Sequence, residues 1–379
     1  MIEASESVRL SMPRTPEALL TSAELEECAR ATPRWQALVA GLDRSFPVVL
    51  SYTTRVPAAP WYLGLSASLH SLPLAIAGLG APKWPWYEGG SQVITGTRRA
   101  AHLLHHLLPT GAVVAADSGD TIIANAPQRG SSAAAALRRV LDEQVPRVLI
   151  GAECRSWPKC YRELFANVSA HQECWKRSAS CYANGGMALG ATRSFMMWAE
   201  EMARLFFSYR TLPMRSPLIG NTERTNNQAI LHRLLANHSA LAFDASLDDA
   251  NEFFVSLNSC EFNMSGTVAG PFRFCSERAF HPLSQIRTGN NSRRGTHAEK
   301  HGVWFGDQLP FLLHANSAHS KLLDPVLEPL LARVREPLDE WLDRPVLLLD
   351  AMGWGANGST ATCTETTLGA LLASAKTKV

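Results

Sequence analysis

The stretch that decides the fold is Ala112-Val113-Val114-Ala115-Ala116-Asp117-Ser118-Gly119-Asp120. Its apolar half predicts a buried strand, and its polar half places two carboxylates at the end of that strand. Ligands of open α/β sheets bind at this edge, beyond the carboxyl ends of the strands. Two carboxylates there can hold Mg²⁺ or Mn²⁺, and such a metal can bind the diphosphate of a nucleotide. Asp-x-x-Asp after a strand is more often a solvated turn or a helix N-cap, so the motif needs further support.

Strands and helices alternate on both sides of this stretch. Buried strands are predicted at residues 46–52, 74–77 and 147–153, and helices at residues 61–71, 98–108 and 131–143. This alternation predicts an α/β fold with a doubly wound, mostly parallel sheet flanked by helices. A connection rich in Pro, Trp and Gly at residues 81–96 interrupts the pattern, and irregular connections of that length are usually functional.

The second half of the chain is less regular. A glycine-rich segment, residues 185–190, leads into a helix at 192–207. Further elements are predicted as a helix at 226–236, strands at 241–244, 252–257 and 309–313, a loop over 262–296, an amphipathic helix over 321–343 and a small, polar, mobile tail after residue 352. We therefore expect an N-terminal extension (1–45), one α/β domain (46–320) and a C-terminal helix and tail (321–379).

Composition excludes several classes of protein. Apolar residues make up 46% of the chain and charged residues 18%, which predicts a sizeable core rather than disorder. The formal net charge of +2 gives no reason to expect nucleic acid as a partner. No apolar run has the length of a membrane span, and the first residues lack a signal-peptide pattern. The expectation is a cytosolic protein or one whose targeting segment is missing from this sequence.

Cysteines and sequons favour the secretory pathway instead. Four of the eight cysteines fall in one stretch, at Cys154, Cys160, Cys174 and Cys181. The chain has no C-x-x-C pair, so a zinc site is a poor interpretation, while local disulfides and free buried thiols stay equally open. If disulfides form, we predict that Cys154 pairs with Cys160, or that one of these two pairs with Cys174 or Cys181. Asn-x-Ser sequons occur at Asn167, Asn237, Asn263, Asn290 and Asn357.

Four later segments fit the acidic strand end. They are Gly151-Ala152-Glu153-Cys154-Arg155-Ser156-Trp157-Pro158, Tyr182-Ala183-Asn184-Gly185-Gly186-Met187-Ala188-Leu189-Gly190, Asn226-Asn227-Gln228 and Leu312-Leu313-His314-Ala315-Asn316. In this order, from about residue 48 to residue 316, the chain resembles the glycosyltransferase domain of the procollagen lysyl hydroxylase/glucosyltransferase family. The resemblance implies a GT-A fold and transfer of a hexose from a UDP-sugar to a protein or glycan hydroxyl. The implied acceptor is a hydroxylysine of the collagen type.

The resemblance also implies a ligand set for Mn²⁺. The family's two carboxylates match Asp117 and Asp120, and its histidine matches His314. Two hard oxygens and one imidazole suit Mn²⁺ and leave positions open for phosphate. Taken alone, His314 would be interpreted as a core histidine.

The donor pocket can be carried over in the same way. Trp84 matches a residue of the nucleotide loop, Trp157 an aromatic on a loop over the donor, and Asn184 an asparagine of the sugar pocket. Arg99, or its neighbour Arg98, loosely matches a basic residue after the nucleotide loop. Without the resemblance the two tryptophans would be packing residues, and Asn184 would be a turn residue before a Gly-Gly pair.

The main departure from the family concerns the residues beside the donor sugar. Two family carboxylates are replaced by Asn226 and Asn227, and an amide can bind a sugar hydroxyl but cannot act as a base or nucleophile. Glu223 lies close in sequence and is a candidate substitute. The alternative is a non-catalytic nucleotide-sugar-binding or scaffolding domain that retains the fold. For either function the cysteines and sequons favour the lumen of the endoplasmic reticulum or Golgi, and the lack of a visible signal peptide leaves a cytoplasmic location open.

Overall fold

The computed structural model of the chain describes sixteen stretches. They are residues 20–42, 46–55, 61–80, 90–127, 131–142, 146–157, 160–211, 226–237, 243–258, 260, 280–290, 301–305, 307–315, 323–332, 338–349 and 363–376. The helices, strands and contacts of the structure lie within these residues.

The described residues form helices and strands in an alternating order. The helices are α1 (Ser22–Ala31), α2 (Pro33–Ala40), α3 (Tyr62–Leu69), α4 (Gly90–Leu107), α5 (Ser132–Leu141), α6 (Ser169–Arg177), α7 (Thr192–Thr211), α8 (Asn227–Ala236), α9 (Asp324–Leu331), α10 (Leu338–Leu342) and α11 (Leu368–Lys376). The strands are β1 (Val48–Tyr52), β2 (Leu74–Ala77), β3 (Ala112–Ala116), β4 (Thr121–Ile123), β5 (Arg147–Glu153), β6 (Tyr182–Ala191), β7 (Asp244–Leu247), β8 (Phe254–Ser256), β9 (Ile286–Asn290), β10 (His301–Phe305), β11 (Leu312–His314), β12 (Pro345–Leu349) and β13 (Cys363–Thr367).

Eight strands form the main sheet, in the order β13-β12-β2-β1-β3-β6-β5-β7. Four of its seven pairings are parallel, and β6 and β13 run antiparallel to their neighbours. The fold is therefore α/β with a mostly parallel, mixed sheet flanked by helices, consistent with a Rossmann-like fold. The glycine-rich segment expected to lead into a helix, residues 185–190, is part of the antiparallel strand β6.

Both faces of the main sheet are covered, which explains the continuous apolar sequence of its central strands. Val113 packs into a core shared with α4, α7 and α8, and Val114 packs into a second core shared with α3 and α5. Successive strand residues point to opposite faces of the sheet, so two neighbouring apolar residues of one strand pack into different cores. This places α4, α7 and α8 together on one side of β1 and β3.

The C-terminal segment completes the main sheet. β12 pairs in parallel with β2, and β13 pairs with β12, so the boundary expected at residue 321 cuts through the sheet. The expected polar tail is wrong for residues 363–376, which form β13 and α11. A disulfide between Cys28 and Cys363 joins α1 to β13. The polar sequence of β13 suits an edge strand, which is why its composition looked like a tail.

Two more sequence-based expectations need correction. The helix expected over residues 321–343 is divided into α9 and α10. The loop expected over 262–296 includes β9, which pairs antiparallel with β10. Strand β9 depends on a partner outside its own segment, so a local pattern could not predict it.

The cysteine pairing differs from the predicted one. Cys154 pairs with Cys260, and Cys174 pairs with Cys181. Cys160 is disulfide-bonded as well, and the described part of the chain contains no free cysteine. The prediction for Cys154 was wrong because β5 ends beside the segment that follows β8, so its partner is distant in sequence but adjacent in space.

Candidate metal centre and adjoining cleft

The acidic turn lies at the junction of two sheets. β3 belongs to the main sheet and β4 to a small sheet of order β4-β11-β8. The backbone N–H of Asp117 donates to the carbonyl of Gly186 on β6 (3.1 Å), and the N–H of Ala315 donates to the carbonyl of Asp120 (2.7 Å). The indole of Trp61 donates to the carbonyl of Ser118 (2.9 Å). Three separate elements therefore fix the backbone of this turn.

His314 meets the two carboxylates because of strand register. It is the last residue of β11 and pairs with Thr121, the first residue of β4 after the acidic turn. Its Nε2 lies 3.2 Å from Oδ2 of Asp117 and 3.4 Å from Oδ1 of Asp120. The potential ligand atoms of the three residues lie within 4.8 Å of one another. The expected convergence of the side chains is present, while their role as metal ligands stays a prediction.

The electrostatics of this cluster favour a cation. Burial lowers the pKa of His314, but the carboxylates of Asp120 and Asp117 outweigh it and raise that pKa to about 10. Neither contact of Nε2 with these carboxylates has hydrogen-bond geometry, and both ring nitrogens are buried without a hydrogen-bond partner among the described residues. Positive charge is thus favoured at a point where no directed hydrogen bond forms. Two oxygens and one nitrogen around such a point fit a divalent cation.

Gly186 packs against Asp117 and His314 of this cluster. A Cβ atom at this position would lie 2.4 Å from Oδ2 of Asp117 and 3.1 Å from Cε1 of His314. Only glycine lets β6 approach the carboxylate and the imidazole so closely. The sequence interpretation treated Gly186 as part of a turn signal, and the signal that marks it is a Gly-Gly pair inside a buried strand.

Polar side chains along β6 and α8 form hydrogen bonds with the backbone. Asn184 is buried and accepts from the N–H of Gly186 (2.8 Å) through Oδ1. Asn226 is the N-cap of α8, and its Oδ1 accepts from the N–H of Ala229 (3.0 Å). Within the described part of the chain, the side chain of Asn227 makes one long contact, from Nδ2 to the carbonyl of Gly185 (3.4 Å). Of the three asparagines singled out from the sequence, Asn227 is the least constrained.

The remaining predicted donor residues have different positions. Trp157 is half-buried and follows β5, which runs in the direction of β3, so it lies beyond the same edge of the sheet as the acidic turn. Arg99 lies on α4 close enough to Glu24 of α1 to lower the pKa of that carboxyl, although hydrogen bonds from Thr21 lower it more. Arg98 is buried and donates to Glu200 of α7 (2.7 Å).

The described contact of Arg98 is therefore with α7, and Arg99 lies near α1. Trp84 and Glu223 lie outside the described residues.

An open cleft of about 580 Å³ adjoins the cluster. It lies between the sheet and helices α4, α7 and α8, and it includes Asp117, Asn227, Gly185 and Gly186. Its apolar wall is formed mainly by Leu50, Tyr52, Val93, Ile94, Ala115, Ala116, Trp198, Ala199, Met202 and Leu231. A largely apolar cleft with a few polar groups at one side is typical of small-molecule sites.

Comparison with protein-family models and with curated proteins finds no match for this chain. Among the described residues, no helix combines the length and the apolar character needed to cross a membrane.

Proposed function

We propose that this protein is a glycosyltransferase that moves a hexose from a UDP-sugar to a protein or glycan hydroxyl and depends on Mn²⁺. The single observation that carries the proposal is the cluster of Asp117, Asp120 and His314 beside an apolar cleft. Both lie at the edge of the sheet where open α/β folds bind nucleotides. The GT-A fold and a collagen-type hydroxylysine acceptor belong to the same proposal, through the family resemblance.

Asp117, Asp120 and His314 would hold the Mn²⁺, which when bound would neutralise the leaving diphosphate. The hydrogen bonds of the acidic turn fix the backbone that carries the two carboxylates before any ligand arrives, which lowers the cost of ordering this segment on binding. Asp120 and His314 are buried, which strengthens the attraction between their side chains and a cation.

Asn227 is the residue we assign to the donor sugar. It lines the cleft with Asp117, and its amide can accept from and donate to sugar hydroxyls. Asn226 has a capping role in α8, so it contributes by fixing the start of the helix that carries Asn227. Asn184 contributes by fixing the backbone of β6 at Gly186.

The alternative function is a non-catalytic module that binds a nucleotide-sugar. One observation favours it: Asn226 and Asn227 stand where the family has carboxylates, and one of the two is a helix cap. A binding module needs the metal cluster and the cleft but no base for the acceptor hydroxyl.

Disulfide bonds support the lumen of the endoplasmic reticulum or Golgi as the site of action. The cysteines of the described chain are paired, and such pairing persists in oxidising compartments. Two of the sequon asparagines, Asn167 and Asn237, are exposed. A secretory location would also bring the protein together with glycoprotein acceptors.

Hydrolysis of UDP-hexoses by the purified protein, with and without Mn²⁺, tests the proposal, and calorimetry under the same conditions measures UDP binding. Metal-dependent release of UDP supports the enzyme. Metal-dependent binding without release supports the binding module. Equal UDP affinity with and without Mn²⁺ would contradict both functions.

A further inference from the structure

Glu153 is a buried carboxylate that the proposed chemistry does not use. It is the last residue of β5 and is 2% exposed. Three side-chain amides donate to it: Asn184 to Oε2 (3.2 Å), Asn258 to Oε2 (3.4 Å) and Gln228 to Oε1. A buried charge with three donors from separate elements is costly to build, and such networks are sensitive to the loss of one member.

Two of these amides connect Glu153 to the backbone of β6. Oδ1 of Asn184 accepts from the N–H of Gly186 (2.8 Å), and Oε1 of Gln228 accepts from the N–H of Gly185 (3.2 Å). A carboxylate can only accept, so it turns the NH₂ groups of both amides towards itself. Their oxygens then face the two glycine N–H groups.

The Gly-Gly segment in turn supports the metal cluster. The carbonyl of Gly186 accepts from the N–H of Asp117 (3.1 Å), and a Cβ atom added to Gly186 would lie 2.4 Å from Oδ2 of Asp117. A small movement of this segment therefore changes the position of Asp117 relative to His314.

We infer that Glu153 is a positioning residue for the metal centre. It orients the amides of Asn184 and Gln228, and these hold the Gly185–Gly186 segment on which Asp117 rests. The inference deepens the proposed function and rests on its metal centre, but the position of the glycine segment can be measured without any metal.

The variant Glu153→Gln, whose new side chain is uncharged, tests this chain of contacts. The new amide at position 153 offers one oxygen and one NH₂ group, so its NH₂ group faces the NH₂ group of either Asn184 or Gln228. If the side-chain amide of Asn184 or Gln228 rotates by 180° to avoid this, its NH₂ group faces the N–H of Gly186 or Gly185 instead. One donor-to-donor contact arises in either arrangement, and the Gly185–Gly186 segment loosens.

A second variant returns the missing acceptor. In Glu153→Gln with Asn184→Asp, the new Gln NH₂ donates to the new Asp, whose second oxygen accepts from the N–H of Gly186. The total charge is that of the wild type, and of the three amide contacts described above the longest, from Asn258, is lost. A buried carboxylate away from the cluster serves as the control: Asp248 accepts from the N–H groups of Glu252, Phe253 and Phe254.

Two measurements decide the inference. Hydrogen exchange of the metal-free protein is expected to show the Gly185–Gly186 amides exchanging at least about tenfold faster in Glu153→Gln. Mn²⁺ affinity, measured by calorimetry below the unfolding transition, is expected to fall about tenfold, as found when outer partners of metal ligands are removed. The double variant is expected to recover most of both effects. Asp248→Asn is expected to lower the melting temperature and leave Mn²⁺ affinity unchanged.

Unchanged exchange and unchanged Mn²⁺ affinity in Glu153→Gln would overturn the inference while leaving the proposed function intact. A wild type that binds no Mn²⁺ would overturn the proposed metal centre, and the exchange data would still show whether Glu153 holds the glycine segment. A loss of affinity in Asp248→Asn equal to that in Glu153→Gln would also overturn the inference, because the effect would then reflect general destabilisation.

Discussion

Replacing Gly186 by alanine tests the metal centre with a single methyl group. The new Cβ would lie 2.4 Å from Oδ2 and 2.7 Å from Cγ of Asp117. An ordinary contact is about 3.5–4 Å, so the carboxylate must move by about 1 Å or more. Ligand distances at a metal site tolerate only about 0.2 Å. The variant should therefore lose Asp117 as a ligand.

The expected loss of Mn²⁺ affinity is at least about 10–100-fold, because disturbing a partner outside the ligand shell already costs that much. Stability should change little. The clashing atoms are the end of a half-exposed side chain that can rotate away, and the backbone of Gly186 is not in the left-handed region. Calorimetric titration with Mn²⁺ measures the affinity, and thermal unfolding of the metal-free protein measures the stability.

Gly119→Ala is the matched control. Gly119 lies in the acidic turn itself, between Asp117 and Asp120, and a Cβ there would meet no atom within 4 Å. This variant should bind Mn²⁺ as the wild type does. Wild-type affinity in Gly186→Ala would refute the reasoning, and so would equal losses in the two variants.

The other predictions concern ligands, turnover, pH and covalent structure. Asp120→Asn should weaken Mn²⁺ and UDP binding together, at least about tenfold in calorimetry, and unchanged UDP affinity would contradict it. Asn227→Asp should raise sugar turnover about tenfold in an assay of UDP release with UDP affinity unchanged, because a carboxylate acts on charge present mainly in the transition state. Burial lowers the pKa of His232 to about 3, below its ordinary value of 6.5. The stability that neutral His232 contributes to the folded protein is therefore complete above pH 6.5 and is lost as the pH falls towards 3. From pH 6.5 to pH 5 this loss is about 2 kcal/mol, and His232→Phe should show a smaller difference between its unfolding free energies at these two pH values. Replacing Cys28 and Cys363 by serine should lower the unfolding free energy by about 2–4 kcal/mol in denaturant titrations, and an unchanged midpoint would count against that disulfide.

The sequence predicted those parts of the site that depend on local pattern. Asp117 and Asp120 follow an apolar strand directly, so their place at the sheet edge could be read from their neighbours. His314 also ends a strand, but only the family resemblance joined it to the two carboxylates. Its meeting with them depends on the register between β4 and β11, which no local pattern encodes.

The features that were missed depend on distant partners. The glycines of β6 interrupt the alternation of side chains, so the two-residue period of a strand was not visible. β13 is polar because it lies at an edge of the sheet. Cys154 has its partner 106 residues away, although nearer cysteines were available. Asn226 illustrates a further limit, since the same residue type serves as a helix cap and as a sugar ligand.

The distinction between enzyme and binding module depends on a free carboxylate. In the described part of the chain, three carboxylates lie at the site or are connected to it by hydrogen bonds, and all three already have partners. Asp117 and Asp120 face His314, and Glu153 accepts three amides. A general base must reach the acceptor hydroxyl within about 3 Å and cannot at the same time hold a metal or a buried network. In the proposed glycosyltransferase, catalysis would therefore need a group from elsewhere, such as Glu223 or an oxygen of the donor phosphate, whereas the proposed binding module would need no such group.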